Sequence, residues 1–280
     1  MKSVVITGVS TGIGLATLDA ALRAGFEVFG SVRTAPDALR LREQFPERFV
    51  PLVFDVTDEP AIQAAATLVA QTLGDRRLDG LINNAGVAIS GPLLYLPAEK
   101  LRHQFDVNLF GAMAVTRAFA PLLGVDPGRT GKPGRIINIS SVSGKLSSPF
   151  VGAYVASKHA LEGMSESLRR ELLIFGIDVI IVGPGAIQTP IWGKAEFDPY
   201  LKTPYSESLK LAYDYMLKIA KEGLAPEQCA DLLVKILLTK RPRTRYALVP
   251  RPILNWWIPK LLPARWVDRI MAMRLGLKPR

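Results

Sequence analysis

Short apolar runs alternate with longer segments along most of the chain. Each short run is apolar throughout, rather than at every second position, which indicates a strand buried on both faces. Strands that alternate with helices favour βαβ units, and therefore a parallel sheet covered by helices. The predicted strands are Val4–Thr7, Glu27–Val32, Phe49–Asp55, Gly80–Asn83, Arg135–Ser140, Asp178–Val182 and, in a proline-rich setting, Tyr246–Val249.

The segments between these runs predict helices. In the longest of them, apolar residues recur every four positions, which predicts one buried face. Those positions are Ala160, Met164, Leu168 and Leu172. The predicted helices include Gly12–Ala24, Pro60–Leu73, His103–Leu123 and Ala153–Phe175.

Residues 186–225 interrupt the alternation and read as an insertion with its own helices, a common position for a substrate cover. Its apolar side chains predict an apolar pocket beneath it; the alternative is that they only seal the insertion onto the core. We expect one α/β catalytic domain over residues 1–250 and a C-terminal extension over residues 251–280. The apolar residues of the cover are Ile191, Trp192, Phe197, Tyr200, Leu201, Tyr205, Leu209, Tyr213, Tyr215 and Met216.

Composition narrows the class of protein. Apolar residues make up 49% of the 280 residues, which is typical of a folded chain. The start, MKSVVITG, runs directly into a strand pattern and leaves no room for a signal or transit peptide, so a cytoplasmic location is expected. The single cysteine, Cys229, excludes an internal disulfide. No apolar stretch reaches the length of a membrane-spanning helix, and no cluster of cysteine and histidine predicts a metal site.

The net charge of +10 lies entirely at one end of the chain. Residues 240–280 carry 11 basic residues and one acid, whereas the rest is neutral. This distribution argues against a nucleic-acid-binding protein and favours a surface function of the C-terminal extension. The predicted final helix is amphipathic and fits an anionic membrane interface; packing over the active-site mouth or against a second subunit are the alternatives. One face carries Arg265, Asp268, Arg269 and Ala272, and the other carries Trp266, Val267, Ile270 and Met271.

A glycine-rich turn follows the first predicted strand, in the stretch TGVSTGIG. Gly8, Gly12 and Gly14 allow a sharp turn and a close approach of the backbone to a ligand. The helix that follows directs free amide groups and a positive dipole end at a phosphate. Strand, glycine turn and helix in this order predict dinucleotide binding, although the spacing differs from the usual Gly-x-Gly-x-x-Gly.

Tyr154 and Lys158 lie four positions apart on a predicted helix, and therefore on one face. A nearby ammonium group favours the phenolate and lowers the pKa of a tyrosine. Such a tyrosine is a suitable acid or base for an alcohol or ketone. The alternative is that Tyr154 packs in the core while Lys158 extends to solvent.

Five motifs in order resemble the short-chain dehydrogenase/reductase family over about residues 1–240. This resemblance implies a doubly wound Rossmann fold, with a parallel sheet and helices on both faces, and a nicotinamide cofactor. The turn motif, the helix LEGMSESLRRELLIFGI and the long extension most resemble the hydroxysteroid and retinol dehydrogenase branch, although Gly183 replaces an acid frequent there. The motifs are TGVSTGIG, NNAG (83–86), NISS (138–141), YVASK (154–158) and PG (184–185).

The resemblance assigns catalytic roles to four residues. Tyr154 matches the proton donor and acceptor, and Lys158 matches the residue that lowers its pKa and holds the nicotinamide ribose. Ser141 matches the serine that positions substrate, and Asn108 matches the asparagine that supports a proton relay. The thirteen-residue spacing to the tyrosine favours this serine over two neighbours, Ser140 and Ser143.

The end of the second strand predicts the cofactor. Enzymes that use NAD need an acid there to hold the ribose hydroxyls, but the chain has Val32 and then Arg33, without a carboxylate. The guanidinium of Arg33 suits a 2′-phosphate, whereas a solvated arginine is the alternative. NADP(H) is therefore favoured over NAD(H).

Three further residues resemble cofactor contacts of the family. Asp55 matches the residue at the adenine ring, although a helix cap is the competing interpretation. Ile187 and Thr189 match the pair that anchors the nicotinamide. The predicted cofactor-binding set is Gly8, Ser10, Thr11, Gly12, Ile13, Gly14, Arg33, Asp55, Val56, Asn84, Ala85, Gly86, Tyr154, Lys158, Pro184, Gly185, Ile187 and Thr189.

These observations predict an NADP(H)-dependent oxidoreductase. Its expected substrate is a lipophilic, steroid- or retinoid-like molecule, either an apolar secondary alcohol with its ketone or a primary alcohol with its aldehyde. The alternative is a non-catalytic NADP-binding regulatory protein or a membrane-surface interaction protein. Assembly into a homo-oligomer stays open at this point.

Overall fold

The computed structural model describes residues 1–191 and 197–277. Trp192 of the predicted cover and Lys278 of the extension lie outside these residues. Seven parallel strands form one sheet in the order β3-β2-β1-β4-β5-β6-β7, so the predicted doubly wound fold is confirmed. The strands are β1 (Ser3–Ile6), β2 (Glu27–Val32), β3 (Phe49–Val53), β4 (Gly80–Asn83), β5 (Arg135–Ile139), β6 (Asp178–Pro184) and β7 (Arg245–Leu248).

Ten α-helices lie in the described part of the chain. One of them, Ala35–Gln44, is absent from the sequence prediction, because only Ala38 and Leu41 of its residues are buried. The helices are α1 (Gly12–Arg23), α2 (Ala35–Gln44), α3 (Glu59–Leu73), α4 (Ala98–Phe105), α5 (Ala112–Ala120), α6 (Gly152–Glu171), α7 (Ser206–Lys221), α8 (Pro226–Leu238), α9 (Ile258–Leu261) and α10 (Ala264–Leu275).

The sheet is buried because helices cover both of its faces. Helices α1, α2 and α8 pack on one face, with Leu18, Leu41 and Leu233 inaccessible to solvent. Helices α3, α5 and α6 pack on the other face. Burial on both sides explains why the strand segments are apolar throughout, and it removes the largest share of apolar surface from water.

Strand β1 pairs with β2 on one side and with β4 on the other, so the strand order reverses between β1 and β4. In an open parallel sheet, this reversal of strand order opens a crevice at the carboxyl ends of the strands. The glycine turn follows β1, and the NNAG motif follows β4, at the same edge. The fold therefore brings these two motifs together.

A helical run over residues 98–125 joins α4 and α5 through wider π-helical turns at Asp106–Gly111 and Pro121–Val125. By length and composition this run could cross a membrane, so the expectation that no apolar stretch is long enough was wrong. More than half of its most apolar window is buried inside the protein. Val115 and Phe119 are fully buried against the sheet, which is typical of a core helix.

The insertion forms a third apolar cluster together with the end of the chain. Phe197, Tyr200 and Leu209 are buried there with Phe150 and with Leu275 of α10. These side chains of the predicted cover therefore seal the insertion against the core. This contact also fixes α10 against α7, so the C-terminal extension is packed on the protein rather than free.

Candidate active site

The glycine turn leaves the first turn of α1 open to a ligand. Gly8 and Gly12 have φ angles of +71° and +58°, a conformation that favours glycine. A Cβ on Gly14 would lie 2.1 Å from the Gly8 carbonyl oxygen, so no side chain fits there. Thr11 precedes the helix without capping it through its side chain. The first amide groups therefore suit a phosphate, and the cradle fits a dinucleotide.

Hydrogen bonds join this turn to the NNAG motif. The Asn84 side-chain amide donates to the carbonyl oxygens of Thr7, at 2.8 Å, and Gly8, at 3.0 Å. The Thr7 hydroxyl accepts from the backbone amides of Asn84 and Ala85. These bonds fix the mouth of the crevice. The other predicted residues of the turn, Ser10, Thr11 and Ile13, are exposed or half-buried at its rim.

Buried amide groups hold the strands beneath the site. Asn83 donates to the Asn138 side chain at 2.8 Å, and Asn138 in turn donates to the Ser165 hydroxyl on α6. Each residue is at most 5% exposed. Because unpaired buried amides are costly, this chain of bonds specifies how α6 sits on β4 and β5.

Ser141 and Tyr154 come together at the carboxyl end of β5. Both side chains are buried, and the Tyr154 phenol forms a hydrogen bond with Ser141. The Ser141 hydroxyl accepts from the Ser143 amide at 3.0 Å and lies 3.4 Å from the Pro184 carbonyl oxygen. Ser140 differs, because its hydroxyl donates to Glu162 at 3.0 Å. The structure therefore brings Ser141, rather than Ser140, to Tyr154.

Burial dominates the protonation of Tyr154 and Lys158. The Lys158 ammonium donates to the Ile139 carbonyl oxygen at 2.8 Å and lies 5.8 Å from the centre of the Tyr154 ring. Burial lowers the pKa of Lys158 to about 8, against the opposing effect of Glu162. Burial also raises the pKa of Tyr154, while the Ser141 hydrogen bond lowers it. The expectation that Lys158 lowers the pKa of Tyr154 was therefore wrong, because burial has the larger effect and raises that pKa.

Asn108 lies in the π-helical turn Asp106–Gly111, where its buried side chain bridges two segments. Its amide exchanges hydrogen bonds with the backbone of Val87, at 2.9 and 3.0 Å, and donates to Ser157 at 3.1 Å. A Cβ on Gly86 would lie 3.2 Å from the Asn108 oxygen and 3.8 Å from the Lys158 nitrogen. Asn108 and Lys158 thus approach the same glycine.

A second arginine, which the sequence reasoning missed, joins Arg33 beside the glycine turn. Arg33 is exposed after β2. Arg40, on the unpredicted helix α2, donates to the Ser10 carbonyl oxygen at 3.2 Å and pairs with Asp37 at 3.1 Å. The hydrogen bond from Arg40 lowers the pKa of Asp37, with a smaller contribution from Thr34. The Asp37 carboxylate is therefore already engaged by Arg40.

Asp55 takes part in a local turn. Its carboxylate accepts from the Thr57 amide at 2.9 Å and from the Thr57 hydroxyl at 2.7 Å, while Asp58 caps α3. These hydrogen bonds support a structural role for Asp55 at the start of α3. Its contact with an adenine ring stays a prediction. Val56 is buried against Gly111.

The PG segment returns to the glycine turn from β6. A Cβ on Gly12 would lie 3.2 Å from the Thr189 methyl group, so Thr189 sits over the turn. Ile187 is buried. Pro184 ends β6 beside Ser141, and the Gly185 amide bonds to the Leu248 carbonyl oxygen at 2.8 Å. These residues of the predicted nicotinamide anchor lie between the phosphate cradle and the Ser141–Tyr154 pair.

Glu162, one turn after Lys158 on α6, is a buried anion that the sequence reasoning did not identify. Its carboxylate, 1% exposed, accepts from Arg245 at 2.8 and 3.0 Å and pairs with Lys145 at 3.2 Å. It also accepts from the Ser140 hydroxyl. Two cations and a hydroxyl therefore satisfy a charge that would otherwise be costly to bury.

Gly183 makes room for this arrangement. A Cβ at that position would lie 2.6 Å from a terminal guanidinium nitrogen of Arg245 and 3.1 Å from the Ser141 carbonyl oxygen. The guanidinium also stacks on the ring of Trp256, at 4.4 Å. The hydroxysteroid and retinol dehydrogenase branch often has an acid at this position. In this chain Gly183 stands there instead, and the Arg245 guanidinium lies beside it, behind Ser141.

Fold and site together define a dinucleotide-binding oxidoreductase, and the comparisons give its family. Residues 2–199 match the family model described as short chain dehydrogenase. The chain belongs to the short-chain dehydrogenase/reductase family, as the motifs predicted.

Two relatives match nearly the whole chain. An NADPH-dependent 3-dehydrocapnine reductase of Ornithobacterium rhinotracheale is 39% identical over 272 residues, which are 96% of each chain. Retinol dehydrogenase 5 of Mus musculus is 32% identical over 282 residues, covering 95% of this chain and 86% of the relative. The crystal structure of a short-chain dehydrogenase from Streptomyces avermitilis is 31% identical, with a TM-score of 0.76 over 97% of this chain and 94% of that one.

Proposed function

We propose that the protein reduces a lipophilic ketone or aldehyde to its alcohol with NADPH. The observation that carries this proposal is the buried contact between Ser141 and Tyr154, with Lys158 one turn further along the same helix. An enclosed phenol beside a hydroxyl is suited to hold and protonate a carbonyl oxygen. The similarity to a reductase named for NADPH and a 3-dehydro compound supports the same direction.

Ser141, Tyr154 and Lys158 have different roles in the proposed proton transfer. The Ser141 hydroxyl orients the carbonyl oxygen, and the Tyr154 phenol donates its proton to that oxygen as negative charge develops on it. Because burial raises the pKa of Tyr154, the phenol is protonated at neutral pH and serves as a donor. Lys158 holds the ribose and supplies positive charge nearby. A bound nicotinamide supplies the hydride chemistry.

The preference for NADPH rests on the arginines beside the glycine turn. Arg33 is exposed where the second strand ends, and Arg40 contacts the turn itself. Guanidinium groups bind phosphate through paired hydrogen bonds. Asp37, which could hold ribose hydroxyls, is paired with Arg40 instead. This combination favours a cofactor with a 2′-phosphate.

An apolar cleft lies beside the catalytic helix, although Ser141, Tyr154 and Lys158 do not line it. The cleft, of about 450 Å³, lies between the start of α6, the loop after β4 and helix α10. Similarity to a retinol dehydrogenase supports a retinoid- or steroid-like shape. The apolar residues of the cleft wall are Leu93, Pro149, Val155, Val267 and Met271.

The test is the loss of reduced-nicotinamide absorbance over a panel of carbonyl compounds. The panel holds steroid ketones, retinal, medium-chain ketones, aromatic aldehydes and 3-dehydrocapnine, each with NADPH and with NADH. We expect turnover with NADPH on at least one lipophilic carbonyl. Turnover with NADH alone would overturn the cofactor preference. Inactivity across the panel, with cofactor still bound, would favour the non-catalytic alternative.

A further inference from the structure

The start of the C-terminal extension presents an exposed apolar ridge. Residues 253–261 are helical, first as a π-helical turn and then as α9. Five large apolar residues in this run are between 41% and 80% exposed. Their spacing, with steps of one, three, one and three residues, places them on one face of the helix. The residues of this apolar ridge are Ile253, Leu254, Trp257, Ile258 and Leu261.

Contacts on the opposite face hold the ridge in place. Trp256 is 5% exposed, and its ring lies between the Arg245 guanidinium, at 4.4 Å, and the Lys260 ammonium, at 4.7 Å. Arg245 in turn is bound to Glu162 in the protein interior. The ridge is therefore exposed on an ordered helix, and its exposure is not the result of a frayed chain end.

Helix α10 adds an exposed face on which cations and apolar residues mix. Arg265 and Arg269 are exposed on it, together with Trp266 and Met273, at 58% and 75%. The helical spacing placed Trp266 on one face with Val267, Ile270 and Met271, but in the structure Trp266 is exposed while the other three are half-buried. Leu275 is buried in the cluster with Tyr200 and Leu209 of the insertion, and Val267 and Met271 line the cleft beside α6.

The positive charge of this surface favours an anionic binding partner. Residues 253–275, which carry the ridge and α10, hold four basic residues and one acid, Asp268. In a symmetric dimer the same patch would face itself, so its cations would repel each other. An anionic bilayer accepts both features at once, because apolar and tryptophan side chains enter the headgroup boundary while lysine and arginine meet anionic lipids.

We propose that the apolar ridge, with Arg265 and Arg269 of α10, binds the protein peripherally to an anionic membrane surface. The ridge supplies apolar area, and the cations supply electrostatic attraction that falls with salt. Helix α10 also forms a wall of the apolar cleft. This surface therefore places that cleft near the bilayer, where a lipophilic substrate is concentrated. Membrane binding itself does not depend on the proposed reaction.

The test is co-sedimentation of the full chain with phosphatidylcholine vesicles, with and without phosphatidylglycerol. We expect binding to the anionic vesicles only, and its loss at high salt. Trp257→Ser with Leu261→Ser should lower the bound-to-free ratio by on the order of tenfold or more, because two side chains leave the lipid. The matched control is Leu39→Ser with Ile174→Ser, whose side chains are 62% and 83% exposed elsewhere.

A charge series separates the two contributions. Arg265→Gln with Arg269→Gln should weaken binding to anionic vesicles, whereas Arg102→Gln with Lys132→Gln, also exposed, should not. Equal binding to both vesicle types, or equal loss in ridge and control variants, would overturn the proposal. A dimer that the ridge variant dissociates, or binding to acidic proteins without binding to vesicles, would also overturn it. Unchanged thermal unfolding confirms that the variants are folded.

Discussion

At the scale of single residues, burial rather than charge pairing controls the site. Lys158 is buried in a setting that lowers its pKa to about 8 from 10.5, a difference of about 3 kcal/mol between its charged and neutral forms. Below pH 8 the folded protein therefore holds an ammonium in an unfavourable place. Such a cost is typical of functional sites, where stability is given up for chemistry.

Replacement of Lys158 by methionine should stabilise the protein at neutral pH. Between about pH 8 and 10.5 the unfolded chain binds more protons at this residue than the folded one, so wild-type stability rises with pH in that window. Lys158→Met removes the titration. Urea unfolding at pH 7 should show a gain of up to about 3 kcal/mol, shrinking toward pH 10. A loss of stability at pH 7 would show that the ammonium is favourably paired.

The sequence predicted where these side chains lie, but it did not predict how burial shifts their pKa values. The four-residue spacing put Tyr154 and Lys158 on one helix face, and both lie there. The depth of burial depends on tertiary packing, which a spacing does not contain, so the direction of the tyrosine pKa was wrong. The predicted buried stripe of α6 was confirmed at Leu168 and Leu172, whereas Ala160 and Met164 are only half-buried. Three polar side chains of α6 are buried as well, those of Ser157, Glu162 and Ser165.

At the scale of elements, Glu162 ties three of them together. It joins α6 to β7 through Arg245 and to the loop after β5 through Lys145. Removal of one partner of a buried ion pair leaves the other uncompensated, which costs several kcal/mol. Because Glu162 lies one turn from Lys158 and beside Ser140, this pair positions the catalytic helix.

A double-mutant cycle tests this role. Glu162→Gln should lower the free energy of unfolding by about 3 kcal/mol, and Arg245→Met should cost a similar amount. The double variant should lose clearly less than the sum, because neither charge is then stranded. Glu166→Gln is the control, since Glu166 is 44% exposed in its pairs with Lys145 and Arg170. Additive losses would contradict the coupling.

Helix α2 shows where element prediction failed. Its sequence, APDALRLREQ, is mostly polar, so hydrophobic periodicity did not reveal it. A local signal existed, because Thr34 caps the Asp37 amide and a proline opens the helix. The π-helical turn that carries Asn108 has no comparable signal. The strands, by contrast, were predicted because each contains a short run dominated by apolar residues.

The β2–α2 junction yields a prediction about cofactor choice. Arg33→Ala and Arg40→Ala should each raise the KM for NADPH by roughly tenfold or more, since each loses a charged contact to phosphate. The KM for NADH should change little. Arg23→Ala, an exposed arginine paired with Asp19, serves as the control. Equal effects on both cofactors would contradict binding of a 2′-phosphate.

At the scale of the whole molecule, one side of the C-terminal extension packs on the protein and the other side is exposed to solvent. The sequence placed the excess positive charge in residues 240–280, most of it in the extension. It did not reveal which side chains of the extension pack on the protein and which are exposed. The structure contains both, because Trp256 and Leu275 are buried while Trp257 is 54% exposed. Side-chain packing across distant segments decides this difference, and helical spacing alone does not reveal it.

Adjacent tryptophans allow a direct test of this division. Trp256→Ala should lower the free energy of unfolding by about 3 kcal/mol, as expected for a large buried side chain. Trp257→Ala should change it by less than about 1 kcal/mol. Urea unfolding of the two variants measures both values. Similar losses would show that the ridge is packed in solution.

The central claim is that Tyr154 protonates a carbonyl oxygen beside Ser141. The most direct measurement is kcat for NADPH-dependent reduction by Tyr154→Phe, with NADPH affinity measured by fluorescence titration. We predict that kcat falls by about a thousandfold or more, as loss of general acid catalysis implies, while NADPH still binds. Tyr95→Phe, an exposed tyrosine, should remain active. A Tyr154→Phe variant with near-normal kcat would contradict the account.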